Sequence, residues 1–315
     1  MRVFITGGAG FIGSEYVRQL LLDKKNEIER VTVLDKLTYA GDLENLQDVR
    51  NISKFVFIHG DICDTELVSQ ILPGHDTVIN FAAESHVDKS ILNSSPFVTT
   101  NVLGTQNLLD AALKSGIVKF LQVSTDEVYG SIEFGEAKED TILNPSSPYS
   151  ASKAAAEFMA LSYFYTHGLD VRITRSSNNY GPRQHLEKLI PLFINNIIHN
   201  KKVPLYGDGL NVRNWIHVSD NCRGIQAVLD NGAPGNIYNL GGSYSSTNLE
   251  LAIKLLNYFG KDENEIEYVP DRKGHDRRYS ISSEKVKQEL SFTDEIGFSD
   301  GFNETISWYA SHLKY

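Results

Sequence analysis

Tyr149 and Lys153 stand four apart in Ser147-Pro-Tyr-Ser-Ala-Ser-Lys153. On a helix that spacing places both side chains on one face. A lysine ammonium beside a phenol favours the phenolate and draws the tyrosine pKa toward the working pH. Tyr149 then becomes an acid/base for an alcohol or a carbonyl. Upstream, Ser124-Thr-Asp-Glu-Val-Tyr-Gly130 supplies two adjacent carboxylates, Asp126 and Glu127, and a hydroxyl, Thr125, 24 residues before Tyr149. Paired carboxylates whose surroundings separate their pKa values can serve as one acid and one base. Plainer readings exist. An acidic pair after a strand is often a solvated turn or a helix cap, and a tyrosine four residues from a lysine is often a surface pair. The conjunction of all five residues, with Thr125 at a strand end, favours the chemistry.

These side chains need a scaffold. Val3-Phe-Ile-Thr6 is apolar and β-prone, and Gly7-Gly-Ala-Gly10-Phe-Ile-Gly13 leads from it into an amphipathic stretch through Leu22. Strand, glycine loop and helix in that order describe a dinucleotide site. Gly7 permits the tight turn, Gly10 the approach of backbone to a pyrophosphate, and Gly13 close helix–strand packing. The next strand, Val31-Thr-Val-Leu34, ends in Asp35, 22 residues after Gly13. That is the place of a carboxylate on a ribose 2′-hydroxyl. An acid there repels a 2′-phosphate, so NAD is expected over NADP, although the neighbouring Lys36 works against the argument.

The rhythm repeats through Phe55–Ile58, Thr77–Ala83, Phe120–Val123 and Val171–Thr174, with helical patterns between. Alternation of this kind predicts an α/β fold, a doubly wound parallel sheet of Rossmann type. Ligands then lie at the carboxyl ends of strands, where Asp35, Asp61, Ala82, Ala83 and Thr125 fall. Asp61 either sits beside an adenine or caps the next helix. Ala82 and Ala83 are small enough for a cofactor ring to lie against the backbone. After about residue 178 the rhythm loosens. A cofactor domain over 1–177 and about 213–242 is expected, with a smaller substrate domain from about 178–212 and 243–315, the two meeting at a cleft. Lys188, Arg213, Arg272, Arg277 and Arg278 fall in this second half and suit an anionic ligand, although the mixed-sign stretch 271–278 also reads as a solvated loop.

Composition sets outer limits. The 315 residues carry a net charge of −10, 41% hydrophobic and 22% charged residues, ordinary for a globular protein and a poor general binder of nucleic acid. No apolar run reaches the roughly 18 residues of a membrane span, and the N-terminus does not read as a signal peptide. Cys63 and Cys222 make neither a metal spacing nor a disulfide framework, so reduced thiols in a cytoplasmic protein and no metal site are expected.

With the motifs in hand, the chain resembles an extended short-chain dehydrogenase/reductase, and Thr125-Asp126-Glu127 is similar to the nucleotide-sugar 4,6-dehydratase family. Asn80 to Ser90, Asn178 to Pro182, Glu187 to Pro191, Leu205 to Arg213 and Gly274 to Tyr279 read the same way, and the likeness runs from residue 1 to about 310. It implies bound NAD, held by Gly7, Gly10, Phe11, Ile12, Gly13, Asp35, Asp61, Ile62, Ala82, Ala83, Tyr149 and Lys153. It implies dTDP-glucose as the substrate, met by Ser85, Asn178, Lys188, Leu189, Pro204, Tyr206, Arg213, Asn248, Arg272, His275 and Tyr279. Tyr206 would stack on the pyrimidine, and Arg213 and Arg272 would meet the diphosphate. A homodimer is implied through the helix bearing Tyr149 and a second from about Val98 to Lys114. The departure from the family is the connection 131–147, expected to form a loop over the site.

The implied chemistry is oxidation at C4 with Tyr149, Lys153 and Thr125, loss of water across C5–C6, and return of the hydride to C6. The family gives the acid role to Asp126 and the base role to Glu127; the residues alone leave that choice open. A UDP-sugar 4,6-dehydratase remains an alternative, since a pocket discriminates one methyl only modestly. A nucleotide-sugar 4-epimerase would leave Asp126 and Glu127 without a task, and a non-catalytic NAD sensor would not need an intact Tyr149 and Lys153.

Overall fold

The computed structural model describes residues 1–23 and 27–313. Its strands are β1 (Arg2–Thr6), β2 (Arg30–Asp35), β3 (Phe55–His59), β4 (Thr77–Asn80), β5 (Lys119–Thr125), β6 (Asp170–Ser176), β7 (Asn178–Tyr180), β8 (Val203–Tyr206), β9 (Val212–His217), β10 (Ile237–Leu240), β11 (Tyr244–Thr247) and β12 (Ile266–Val269). Seven of them form one parallel sheet in the order β10-β6-β5-β4-β1-β2-β3. Helices cover both faces, so Val3, Phe4 and Ile5 of β1 and Val31, Val33 and Leu34 of β2 are all fully buried. That double burial is why these strands read as unbroken apolar runs rather than alternating ones. One face packs Val17 and Leu20 against Ile225 and Val228, and the other packs Leu108 and Ala112 against Phe120 and Ala160.

The strand order turns back between β1 and β4, which opens a crevice at their carboxyl ends. Gly7 sits at that point with φ +68°, and a Cβ there would lie 2.6 Å from the backbone nitrogen of Ala82. Turn geometry and close approach both demand glycine.

Past β6 the chain departs from the expected path in one respect. Residues 213–242 are expected with the large sheet as part of the cofactor domain, but β9, which contains Trp215, pairs with β7 and β11 in a separate three-stranded sheet. The place beside β6 is taken by β10, with Ile237 opposite Ile173. Trp215 instead enters a third core with Tyr180, Phe193, Leu251 and Leu255.

Residues 131–147 also differ from expectation. Residues 132–137 run along residues 278–282 instead of over the site, and Asn144 and Ser146 bond Val128 and Asp276. The N–H groups of Ile132 and Ala137 donate to the carbonyls of Arg278 and Ser280, each at 2.9 Å. Arg278 Nη1 returns hydrogen bonds to the carbonyls of Ile132 and Gly135. None of these residues lines the central cavity.

Candidate active site

The helix Pro148–His167 fixes the geometry of the Tyr149–Lys153 pair. Ser147 is its N-cap, in a reciprocal capping box with Ser150; Pro148 opens the first turn and Gly168, at φ +70°, ends the last. Such caps each contribute roughly 1 kcal/mol and set the register of the first turn. Tyr149 and Lys153 are both buried at the crevice. β5 arrives from the other side and delivers Thr125 at its end. A short 3-10 turn, Asp126–Tyr129, follows at once, with the Thr125 hydroxyl accepting the N–H of Glu127 at 3.2 Å. The acidic pair thus does lie on a capped turn, and it also lies in the wall of a cavity.

That cavity, about 310 Å³, is lined by Gly7, Gly10, Phe11, Ile12, Gly13, Asp35, Asp61, Ile62, Ala82, Ala83 and Ser85, and by Thr125, Asp126, Glu127, Tyr149, Lys153, Asn178 and Lys188. All the residues expected to hold the cofactor and all those expected to act in catalysis therefore share one space. Ser124 Oγ, Asp126 Oδ2, Ser177 Oγ, Asn178 Oδ1 and Glu187 Oε1 are buried in its wall without a hydrogen-bond partner. Buried polar atoms left unpaired are costly, so the wall is shaped for a polar ligand. The glycine loop fits a dinucleotide. Gly10 is the N-cap of the helix Phe11–Leu22, with no side chain capping its free N–H groups. A Cβ at Gly13 would run into the carbonyl oxygen of Gly7.

Asp35 accepts the N–H of Ala9 at 2.9 Å and of Leu37 at 2.8 Å, which aims its carboxylate at the rim of the loop. Lys36 does not offer a free charge beside it, because Lys36 Nζ pairs with Asp61 Oδ2 at 2.6 Å. The helix after Asp61 is capped by Asp64. Of the two readings of Asp61, the helix cap therefore falls away.

The acid–base groups are tuned by burial. Desolvation by burial, then the charge of Glu127, pushes the Asp126 carboxyl up to about 8. Glu127 is also raised by burial, against the pull of Lys188, Arg213 and Arg272. Burial thus raises both carboxyls, and three cations oppose the rise at Glu127 where Arg213 alone opposes it at Asp126. Tyr149 differs from expectation. Burial raises its hydroxyl well above the ordinary phenol value, Glu127 and Asp126 push the same way, and the Thr125 hydroxyl pulls against them. The Lys153 ammonium donates to the carbonyl of Val123 at 2.7 Å. Burial also brings Lys153 down to about 8, against the pull of Glu157. Positive charge brought into the cavity would lower the Tyr149 hydroxyl toward a working range.

The remaining expected ligand residues lie beyond the cavity wall, on the second half of the chain. Leu189 starts the helix Leu189–Ile198, whose N-cap Lys188 reaches the carbonyl of Ser85 at 3.0 Å. Pro204 and Tyr206 lie on β8. Asn248 starts the helix Asn248–Tyr258, with its buried Oδ1 unpaired. Arg272 lies 5.2 Å from the ring of Tyr206, and His275 meets the same ring edge-on at 6.1 Å. Arg213 lies 4.1 Å over the ring of Tyr279. Arg277 and Arg278 stand apart from this group. Arg277 pairs with Asp208 on the surface, and Arg278 holds the 131–147 connection. Sequence reasoning passed over Tyr39, 3.5 Å from Ser85 Oγ, and Glu187, whose carboxylate stands 3.5 Å from His86. No spacing signals them, since each reaches the site from a loop. Among the described residues no cluster could hold a metal ion.

The family model of GDP-mannose 4,6 dehydratase matches residues 4–305. A dTDP-glucose 4,6-dehydratase of Streptomyces griseus is 53% identical over 99% of this chain and 95% of its own length. Its counterpart in Actinoplanes is 50% identical over 100% and 99%. The crystal structure of the dTDP-glucose 4,6-dehydratase from Streptomyces venezuelae, with NAD and a second ligand bound, superposes with a TM-score of 0.97 at 50% identity, over 99% of this chain and 97% of that one. Full-length likeness in sequence and in structure, on a chain whose Tyr149, Lys153, Asp126 and Glu127 share one buried cavity, places this protein in the nucleotide-sugar 4,6-dehydratase family.

Proposed function

We propose that the protein is a hydro-lyase that uses bound NAD to convert dTDP-glucose into dTDP-4-keto-6-deoxyglucose, the activity named for its relatives. The observation that carries this reading is the pair of a buried Asp126 and a half-buried Glu127 in one cavity wall with Tyr149. An epimerase on this fold would oxidise and reduce C4 and would have no work for two carboxylates. What NAD supplies when bound is a hydride acceptor for C4 and, at the end, a donor for C6. Tyr149 takes the proton of the 4-hydroxyl, with the Thr125 hydroxyl bonded to the same oxygen. The 4-keto group acidifies C5, where Glu127 removes the proton and where a proton returns when C6 receives its hydride. Asp126, still protonated, gives its proton to the departing C6 hydroxyl. Lys188, Arg213 and Arg272 neutralise the diphosphate, and Tyr206 stacks on the pyrimidine.

The assay is incubation with dTDP-glucose, read by the alkaline absorbance of a 4-keto-6-deoxy sugar. Protein that carries NAD and makes no such product sinks the reading.

A homodimer belongs to the same proposal. Val98, Leu103, Phe158 and Tyr165 are half or more exposed on the neighbouring helical segments 98–115 and 148–167. An apolar face of that kind favours a partner; a monomeric mass by sedimentation would remove this part. No helix among the described residues is long and apolar enough to cross a membrane. Unpaired Cys63 and Cys222 fit a cytoplasmic setting, which cell fractionation tests.

A further inference from the structure

Asp276 lies in the stretch that also carries Arg272, His275 and Tyr279, and it is 7% exposed. Its Oδ2 accepts the Tyr279 hydroxyl at 2.8 Å and the Ser146 hydroxyl at 2.5 Å. Its backbone carbonyl accepts Arg213 Nη2 at 3.0 Å and Asn211 Nδ2 at 3.1 Å. Ser146 directly precedes Ser147, the N-cap of the helix that carries Tyr149 and Lys153. Gly274, at φ +65°, lets the loop turn close to this point, where a Cβ would lie 3.0 Å from the Ser146 carbonyl. One residue thus gathers two groups on the substrate side, Arg213 and Tyr279, and ties them to the head of the catalytic helix.

We infer that Asp276 is a positioning residue, a strap that holds the diphosphate-side groups in register with Tyr149 through Ser146. The inference rests on the dehydratase reading for the identity of the nucleotide. The physical reason lies in where the bonds run. A buried carboxylate that accepts two hydroxyls fixes both, and its loss leaves Tyr279 and Ser146 free to find other partners. Arg213 and Tyr279 are stacked on each other, so a shift of one moves both.

Asp276 also acts through charge. Glu127 is faced by the cations Lys188, Arg213 and Arg272, by the Asp126 carboxyl, by the Tyr149 and Tyr279 hydroxyls, and by Asp276. The cations draw its proton away and Asp276 holds it on. Removing that negative charge lets Glu127 ionise at lower pH.

The test uses full-length, NAD-loaded protein and dTDP as the probe, with Asp276→Asn, Ser146→Ala, Tyr279→Phe and the double variant Asp276→Asn/Tyr279→Phe. Calorimetry is expected to give dTDP binding about tenfold weaker in Asp276→Asn, as for one lost hydrogen bond to a charged group. Turnover at saturation should stay within about threefold, the pattern of lost binding. The acidic limb of the rate profile should move to lower pH in Asp276→Asn and stay in place in Ser146→Ala, which changes no charge. Ser146→Ala should weaken dTDP binding in the same direction, and the double variant should bind no worse than its weaker single parent. Unchanged dTDP affinity in both single strap variants, additive losses in the double variant, or an unmoved acidic limb in Asp276→Asn overturns the inference. If Asp276→Asn does not fold, Ser146→Ala decides by dTDP affinity alone. Wild-type protein that binds dTDP yet forms no keto sugar defeats the dehydratase reading, while the binding comparison still judges the strap.

Discussion

Tyr149→Phe is expected to lower the rate of keto-sugar formation from dTDP-glucose by about a thousandfold, within the usual range for loss of a positioned acid/base. The substrate should still bind, because the variant keeps the ring and its edge-on contact with Phe97, 6.4 Å between centroids. In single-turnover experiments the near-ultraviolet band of reduced nicotinamide should not develop, since no group then takes the C4 hydroxyl proton. A group that takes the C4 hydroxyl proton must lose its own first, and an alcohol does so far less readily than a phenol. Thr125 shares the hydrogen bond but is an alcohol with no cation of its own. Development of the reduced band at a near wild-type rate in Tyr149→Phe would show that another group removes the C4 proton.

The parts of this site that follow local rules were legible in the sequence. Gly7, Gly10 and Gly13 are forced by turn geometry and close packing, and Tyr149 and Lys153 by helical spacing. Asp126 and Glu127 fall at a strand end, which the alternation of elements locates. What escaped depends on contacts between distant segments. The pairing of Lys36 with Asp61 takes the Lys36 charge away from Asp35, and it joins the ends of two strands. The level of the Tyr149 hydroxyl depends on distant segments in the same way: spacing brings Lys153 alongside, but burial and the charges of Glu127 and Asp126 at the end of β5 raise it. The place of β9 depended on competition for the edge of β6, which its own apolar residues do not reveal. The connection 131–147 has no periodicity to read, and the partners of residues 132–137 lie more than 130 residues away at 278–282.

Asp126→Asn with Glu127→Gln is expected to split the reaction in two. Oxidation at C4 needs Tyr149 and should survive, so reduced nicotinamide accumulates after mixing with dTDP-glucose. Loss of water should fall by a factor of about 10⁴ or more, as two positioned proton transfers disappear together. The single variants then assign the roles. Glu127→Gln should abolish exchange of the C5 proton with solvent, whereas Asp126→Asn should keep that exchange and block departure of the C6 hydroxyl. The pH dependence follows from which form of Asp126 works. It must carry a proton, and its carboxyl is raised to about 8 by burial and by Glu127. The elimination rate should therefore hold up through neutral pH and fall as pH rises past about 8, with the fall absent from whatever residual rate Asp126→Asn retains. Glu127 must be ionised, and burial raises its carboxyl against the pull of Lys188, Arg213 and Arg272, so the acidic limb lies above the ordinary carboxylate range. Retention of C5 exchange in Glu127→Gln together with its loss in Asp126→Asn would exchange the two assignments. Equal suppression of oxidation and elimination in the double variant would mean that the carboxylates position the sugar and do not move its protons.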